Sequence, residues 1–100
     1  MTVLWTREAL EKLSEIEEFI GTDSPRRAET FINFLIEHGE SISQNPKIGR
    51  IVQENSNPNI REIIVKKYRI EYRIKKDKIE ILTVFEGHRR LRIDELKIEE

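Results

Sequence analysis

Apolar residues recur at two different spacings along the chain, and the change of spacing divides it. Leu10, Leu13, Ile16, Phe19 and Ile20 come every three or four positions, with Glu11, Glu15, Glu17 and Glu18 on the remaining faces. That is the period of a helix with one face turned inward. Thr6 is placed to cap its N-terminus, Glu8 follows near the positive end of the dipole, and Gly21 predicts a stop in the left-handed C-cap conformation. A second helix is predicted from Ser24 as N-cap and Pro25 at the first helical position, where the missing amide costs nothing. Its stripe is Ala28, Phe31, Ile32, Leu35 and Ile42, and "QNPKIG" ends it through Asn45, Pro46 and Gly49. Two helices joined by about three residues fold back as an antiparallel hairpin. The β-prone "TVLW" before them predicts a short strand, Thr2 to Trp5.

From Tyr68 the period becomes two. "YRIEYRIKKDKIEIL" alternates apolar and charged residues up to Leu82, as a half-buried antiparallel pair does. With Lys76-Asp77 as a two-residue turn, Ile74 faces Ile79, Tyr72 faces Ile81, Ile70 faces Thr83 and Tyr68 faces Phe85 on the core side. On the other side Arg73 meets Glu80, while Arg69 and Lys75 have no acid directly across. "REIIVKK" supplies a preceding strand that offers Ile63 and Val65 to the same core, and "RIVQ" a further short one. The expectation is an α+β fold: an N-terminal strand and an antiparallel helical hairpin packed on a small, mostly antiparallel β-sheet, all in one domain over residues 1–100. Tyr68, Tyr72 and Trp5 read as core aromatics.

Composition narrows the function. Charged and hydrophobic residues each make up 37% of the chain, and no apolar run approaches the roughly 20 residues of a membrane helix. The N-terminus lacks the features of a secretion signal, so the cytoplasm is the expected location and no membrane partner is expected. There are no cysteines, and the two histidines lie far apart, so neither a metal site nor a cofactor is expected. No glycine-rich phosphate loop, Ser-His-Asp order or paired-carboxylate signature is present.

The net charge of -1 hides an asymmetry. Residues 1–60 carry six Lys/Arg and ten Asp/Glu, whereas residues 61–100 carry twelve and nine. Arg61, Arg69, Arg73, Arg89 and Arg90 belong to the basic half, and guanidinium suits two-point recognition of phosphate or carboxylate. These five are the candidate residues for a target or an acidic protein. His88, in "EGHRRL", is a candidate general base for RNA cleavage, with Arg69 and Arg89 binding or stabilising phosphate.

A strand ending in Trp, two acidic-surfaced helices, and then "NPKIGR", "REIIVKKYRIEYRI" and "DKIEILTVFEGHRRL" resemble the RelE/ParE superfamily of type II toxins from about Val3 to Leu91. The resemblance implies a small sheet backed by an N-terminal helical hairpin. It also implies a cognate antitoxin that wraps the toxin with an acidic or amphipathic segment in a hetero-oligomer. Arg69 falls on the arginine of the family's "Y-R" motif and Arg89 on the arginine after the last strand. Two activities occur in the family: mRNA cleavage in the ribosome, and inhibition of DNA gyrase without chemistry. Glu62, Ile63 and Ile64 stand where the nuclease members carry a lysine pair, and "LRIDEL" replaces their C-terminal tyrosine. The resemblance therefore implies a ParE-like gyrase inhibitor, with the mRNA endonuclease and a non-toxic antitoxin-binding module as alternatives.

Overall fold

A computed structural model describes residues 1–53 and 55–87. His88, Arg89 and Arg90 lie outside the described residues. The chain forms β1 (Thr2–Trp5), α1 (Arg7–Gly21), α2 (Pro25–Ser41), a 3₁₀ turn (Ile42–Gln44), β2 (Arg50–Ile51), β3 (Ile60–Val65), β4 (Tyr68–Ile74) and β5 (Lys78–Glu86). The five strands make one sheet in the order β1-β5-β4-β3-β2, with β1 parallel to β5 and the other neighbours antiparallel.

The helices form where the caps predict. The Thr6 hydroxyl accepts from the Ala9 amide at 3.2 Å and the Ser24 hydroxyl from the Arg27 amide at 3.2 Å, each satisfying a first-turn donor. Gly21 behaves otherwise. The first helix runs through it in right-handed conformation, Thr22 donates to the Glu18 carbonyl, and no described glycine has a positive φ. The hairpin closes without a left-handed residue because Ser24 starts the second helix almost at once.

Ala9, Leu13, Ile32, Leu35 and Ile42 from the helical layer meet Val65, Tyr68, Ile70, Tyr72, Ile79, Ile81 and Val84 from the sheet in one core. Trp5 lies against α2. A Cβ on Gly39 would come within 2.5 Å of its ring, and its indole nitrogen donates to Glu40 at 2.7 Å. Only glycine lets the first strand dock this closely on the helix.

The register expected for β4 and β5 holds near the turn, where Ile74 pairs with Ile79, Tyr72 with Ile81 and Arg73 with Glu80. Beyond Tyr72 it shifts by one, so that Ile70 pairs with Val84 and Tyr68 with Glu86, not with Thr83 and Phe85. The cause is a bulge at Leu82, one extra residue on β5. It turns Val84 into the core and Thr83 outward, and the Thr6 hydroxyl lies 2.9 Å from the bulge carbonyls of Ile81 and Leu82. One N-terminal threonine thus caps α1 and satisfies the irregular turn of β5.

Candidate functional site

Cross-strand partners share a face of a sheet, so the register assigns every cation to a side. Tyr68, Ile70 and Tyr72 face the helices, which puts Arg69, Glu71 and Arg73 on the opposite, open face of β4. Glu62 pairs with Glu71, Arg50 with Glu62, and Glu80 with Arg73, so these acids and Arg50 share that face. Arg61 does not. It pairs with Tyr72 and lies on the helix side, where its Nη1 donates to the Gly49 carbonyl at 2.9 Å.

On the open face, acids offset the cations. Glu62 is only 5% exposed, and its Oε2 accepts from Arg50 Nε at 2.8 Å and from Arg69 Nη1 at 2.9 Å. Arg69 is itself 12% exposed. Arg73 donates to Glu80 Oε1 through Nε at 3.1 Å and Nη2 at 2.7 Å, and Lys75 Nζ approaches the same oxygen at 3.8 Å. The Arg73 hydrogen bond, assisted by nearby Lys75 and Lys78, holds the Glu80 carboxyl below the usual carboxylate range despite some desolvation. The acid for Arg69 sits one step diagonally away on β3, which strict pairing across β4 and β5 does not reveal. Sequence reasoning therefore overstated the surplus of cations here.

The "NPKIGR" stretch has a local role. Tyr72 Oη donates to the Pro46 carbonyl at 2.7 Å and accepts from the Gly49 amide at 2.9 Å. A Cβ at Gly49 would stand 2.6 Å from that hydroxyl and 2.7 Å from the Glu62 carbonyl, so the loop can approach the sheet only with glycine there. Burial raises the Tyr72 pKa above the ordinary 10.0, with the Gly49 amide and Arg61 acting in the opposite sense.

A second feature lies at the other end of β4. An apolar groove of about 840 Å³ runs between the end of α1, the start of α2 and the β3–β4 turn. Phe31, Phe34 and Tyr68 form its floor and Phe19 one wall, with Arg26, Arg27, Lys66 and Lys67 around the rim. The Phe31 and Tyr68 rings are 5.5 Å apart, and Lys66 Nζ lies 5.8 Å from the Phe34 ring centre. Beyond Phe19 a smaller depression continues over Tyr68 toward β5, lined partly by Lys12, Glu15 and Glu86. Sequence reasoning missed this groove because it assigned Phe19 and Phe31 to core stripes. The available signal was the pairing of cations at Arg26-Arg27 and Lys66-Lys67 beside that apolar surface.

Among the described residues no group of three or more His, Asp or Glu side chains could hold a metal ion, and no helix is long and apolar enough to cross a membrane. His38 Nδ1–H donates to the Phe34 carbonyl at 2.9 Å, and the imidazole packs on the Phe34 ring. Gly87, the last described residue, donates to the Lys67 carbonyl and packs against the Arg69 side chain.

Residues 3–91 match the family described as ParE toxin of type II toxin-antitoxin system, parDE. The chain belongs to the ParE toxin family. The fold agrees. The toxin-antitoxin system ParDE encoded on the P. aeruginosa chromosome includes a chain that superimposes with a TM-score of 0.72 at 21% identity, covering 86% of this chain and 95% of that one. A chain of the toxin–antitoxin complex RelBE2 from Mycobacterium tuberculosis superimposes at 0.63, also with 21% identity, covering 85% of this ParE-family chain and 88% of that one. At such identities the likeness is one of fold. No curated protein sequence matches significantly.

Proposed function

We propose that this chain is the toxin of a toxin–antitoxin pair, held as a hetero-oligomer by a cognate antitoxin in the cytoplasm. Free of it, the toxin arrests growth by binding DNA gyrase, with no chemistry of its own. The observation that carries this reading is the commitment of Arg69 to Glu62 and of Arg73 to Glu80. Cleavage of RNA needs cations free to follow the charge that develops on the phosphate. A guanidinium already bound to a nearly buried carboxylate is a poor candidate for that task. Membership of the ParE family supports the same direction.

The test pairs two reconstituted assays. Purified protein should block supercoiling by gyrase, or trap cleaved DNA, while mRNA on translating ribosomes stays intact. Codon-positioned cuts with gyrase unaffected would assign the endonuclease instead, and His88→Ala should then abolish cutting without unfolding the protein. Harmless accumulation of folded protein on induction would identify a non-toxic antitoxin-binding module.

A further inference from the structure

One short loop is tied down along its length, while an apolar side chain that it carries is left in solvent. The Pro46 carbonyl and the Gly49 amide both engage the Tyr72 hydroxyl, at 2.7 and 2.9 Å. Arg61 Nη1 donates to the Gly49 carbonyl at 2.9 Å and approaches the Lys47 carbonyl at 3.5 Å. The Ile48 amide closes the turn by donating to the Asn45 carbonyl at 2.9 Å. Tyr72 is itself fully buried, so this support is anchored in the core. A loop held at so many points has little freedom left to lose when a partner binds. Ile48 in its middle is nevertheless 62% exposed, and Ile51, on the same side of the sheet opposite Arg61, is 46% exposed. An apolar side chain kept in water on a rigid support is suited to recognition, because its burial is realised only when a partner arrives.

Shape and charge describe the partner. Ile48 and Ile51 line neither of the two depressions described above. An exposed side chain beside a tight turn is complementary to a pocket in a folded surface, whereas a segment that wraps the protein brings its own side chains and needs grooves to receive them. Lys47 is exposed and Arg61 half-buried, and among the described residues neither has a carboxylate within ion-pair distance. The Arg61 Nε is buried without an acceptor. Arg50, Arg69 and Arg73, by contrast, are committed to Glu62 and Glu80. A guanidinium held only by carbonyls attracts a carboxylate from outside. The loop also stands apart from the groove, since it is held by Tyr72 and the groove lies on Tyr68, about 13 Å away along β4 at the rise of a strand.

We infer that residues 46–51 form the surface with which the toxin grips its target. Ile48, with Ile51 on the same side of the sheet, enters an apolar pocket of a folded protein, and carboxylates at the edge of that pocket meet Lys47 and Arg61. Naming gyrase as that protein rests on the function proposed above; the surface and the chemistry of its partner do not.

The test is growth after induction of the full chain without a partner, alongside supercoiling by gyrase in the presence of the purified protein. Ile48→Ser should relieve the arrest and raise the concentration needed for half-inhibition of supercoiling by about tenfold or more. Its thermal midpoint should stay that of the unaltered protein, because the side chain is already in solvent. Lys47→Glu should weaken inhibition as well, and more at low salt than at high. Ile64→Ser is the control: Ile64 is 54% exposed on the open face of the sheet, and its replacement should change neither readout. Arrest undiminished by Ile48→Ser would overturn the inference, as would the absence of any arrest by the unaltered chain. Equal weakening by Ile64→Ser would also overturn it, and so would self-association of the protein that Ile48→Ser abolishes. Arrest that spares gyrase yet is relieved by Ile48→Ser would sustain the surface and remove gyrase as its target, so failure here and failure of the proposed target are separable.

Discussion

Glu62→Gln removes the anion that holds two arginines. Arg50 is 58% exposed, so its bond to Glu62 contributes about 0–1 kcal/mol, the range of surface ion pairs. Arg69 at 12% and Glu62 at 5% approach the buried limit, where loss of one partner costs about 3–5 kcal/mol. Glutamine keeps a carbonyl that can accept one charge-assisted hydrogen bond, which returns roughly 1–2 kcal/mol. The expected loss is therefore about 2–4 kcal/mol. In a domain of this size each kcal/mol moves the thermal midpoint by about 4–8 °C, so the melt should fall by roughly 10–30 °C. Urea unfolding followed by circular dichroism measures the loss directly, and a double-mutant cycle with Arg69→Met should return a coupling above about 1 kcal/mol. A loss under about 0.5 kcal/mol with no coupling would refute the view that Glu62 neutralises the open face.

Tyr72→Phe should cost about 1–3 kcal/mol in urea unfolding, because the Pro46 carbonyl and Gly49 amide lose a buried partner. Lys66→Gly should stabilise by up to about 1 kcal/mol, since it relieves the left-handed backbone of Lys66 against a smaller entropic cost in the unfolded chain; a loss of stability would contradict the strain assigned there. Stability should decline at both extremes of pH. Tyr68 and Tyr72 have pKa values raised by burial, so their contribution is complete below the ordinary 10.0 and is lost as pH rises beyond it. Glu80, lowered by Arg73, contributes above the ordinary 4.5 and loses that contribution as pH falls; a flat acid limb that Glu80→Gln leaves unchanged would exclude it.

Most of the architecture was legible because it depends on local patterns. Thr6, Ser24 and Pro25 mark helix starts by chemistry that acts within a single turn, and the period-two run from Tyr68 fixes which side of β4 meets the helices. What the pattern concealed was non-local. The bulge was foreshadowed by the spacing of Ile79, Ile81 and Val84, two positions and then three, but its support comes from Thr6 far away in sequence. The diagonal acid for Arg69 required the register of β3 against β4. Arg61 joined the other arginines in sequence and left them in space, because its odd position beside Ile63 turns it toward Tyr72 and the 46–49 loop. The groove was hardest to see. Its floor residues have ordinary core spacing, and only the charge pattern at Arg26-Arg27 and Lys66-Lys67 distinguishes it from the core.

The central claim is that the Glu62–Arg69 pair serves the fold of the toxin and not its target. Replacing both members together by apolar residues of similar size, Glu62→Leu with Arg69→Met, removes the charges without leaving one unpaired, an exchange that is often close to neutral for stability. The measurement is growth after induction of this double variant without a partner, alongside its soluble, folded level. Arrest should be as strong as that caused by the unaltered protein. Folded double variant that accumulates while growth continues would contradict it, and would return Arg69 to the functional surface.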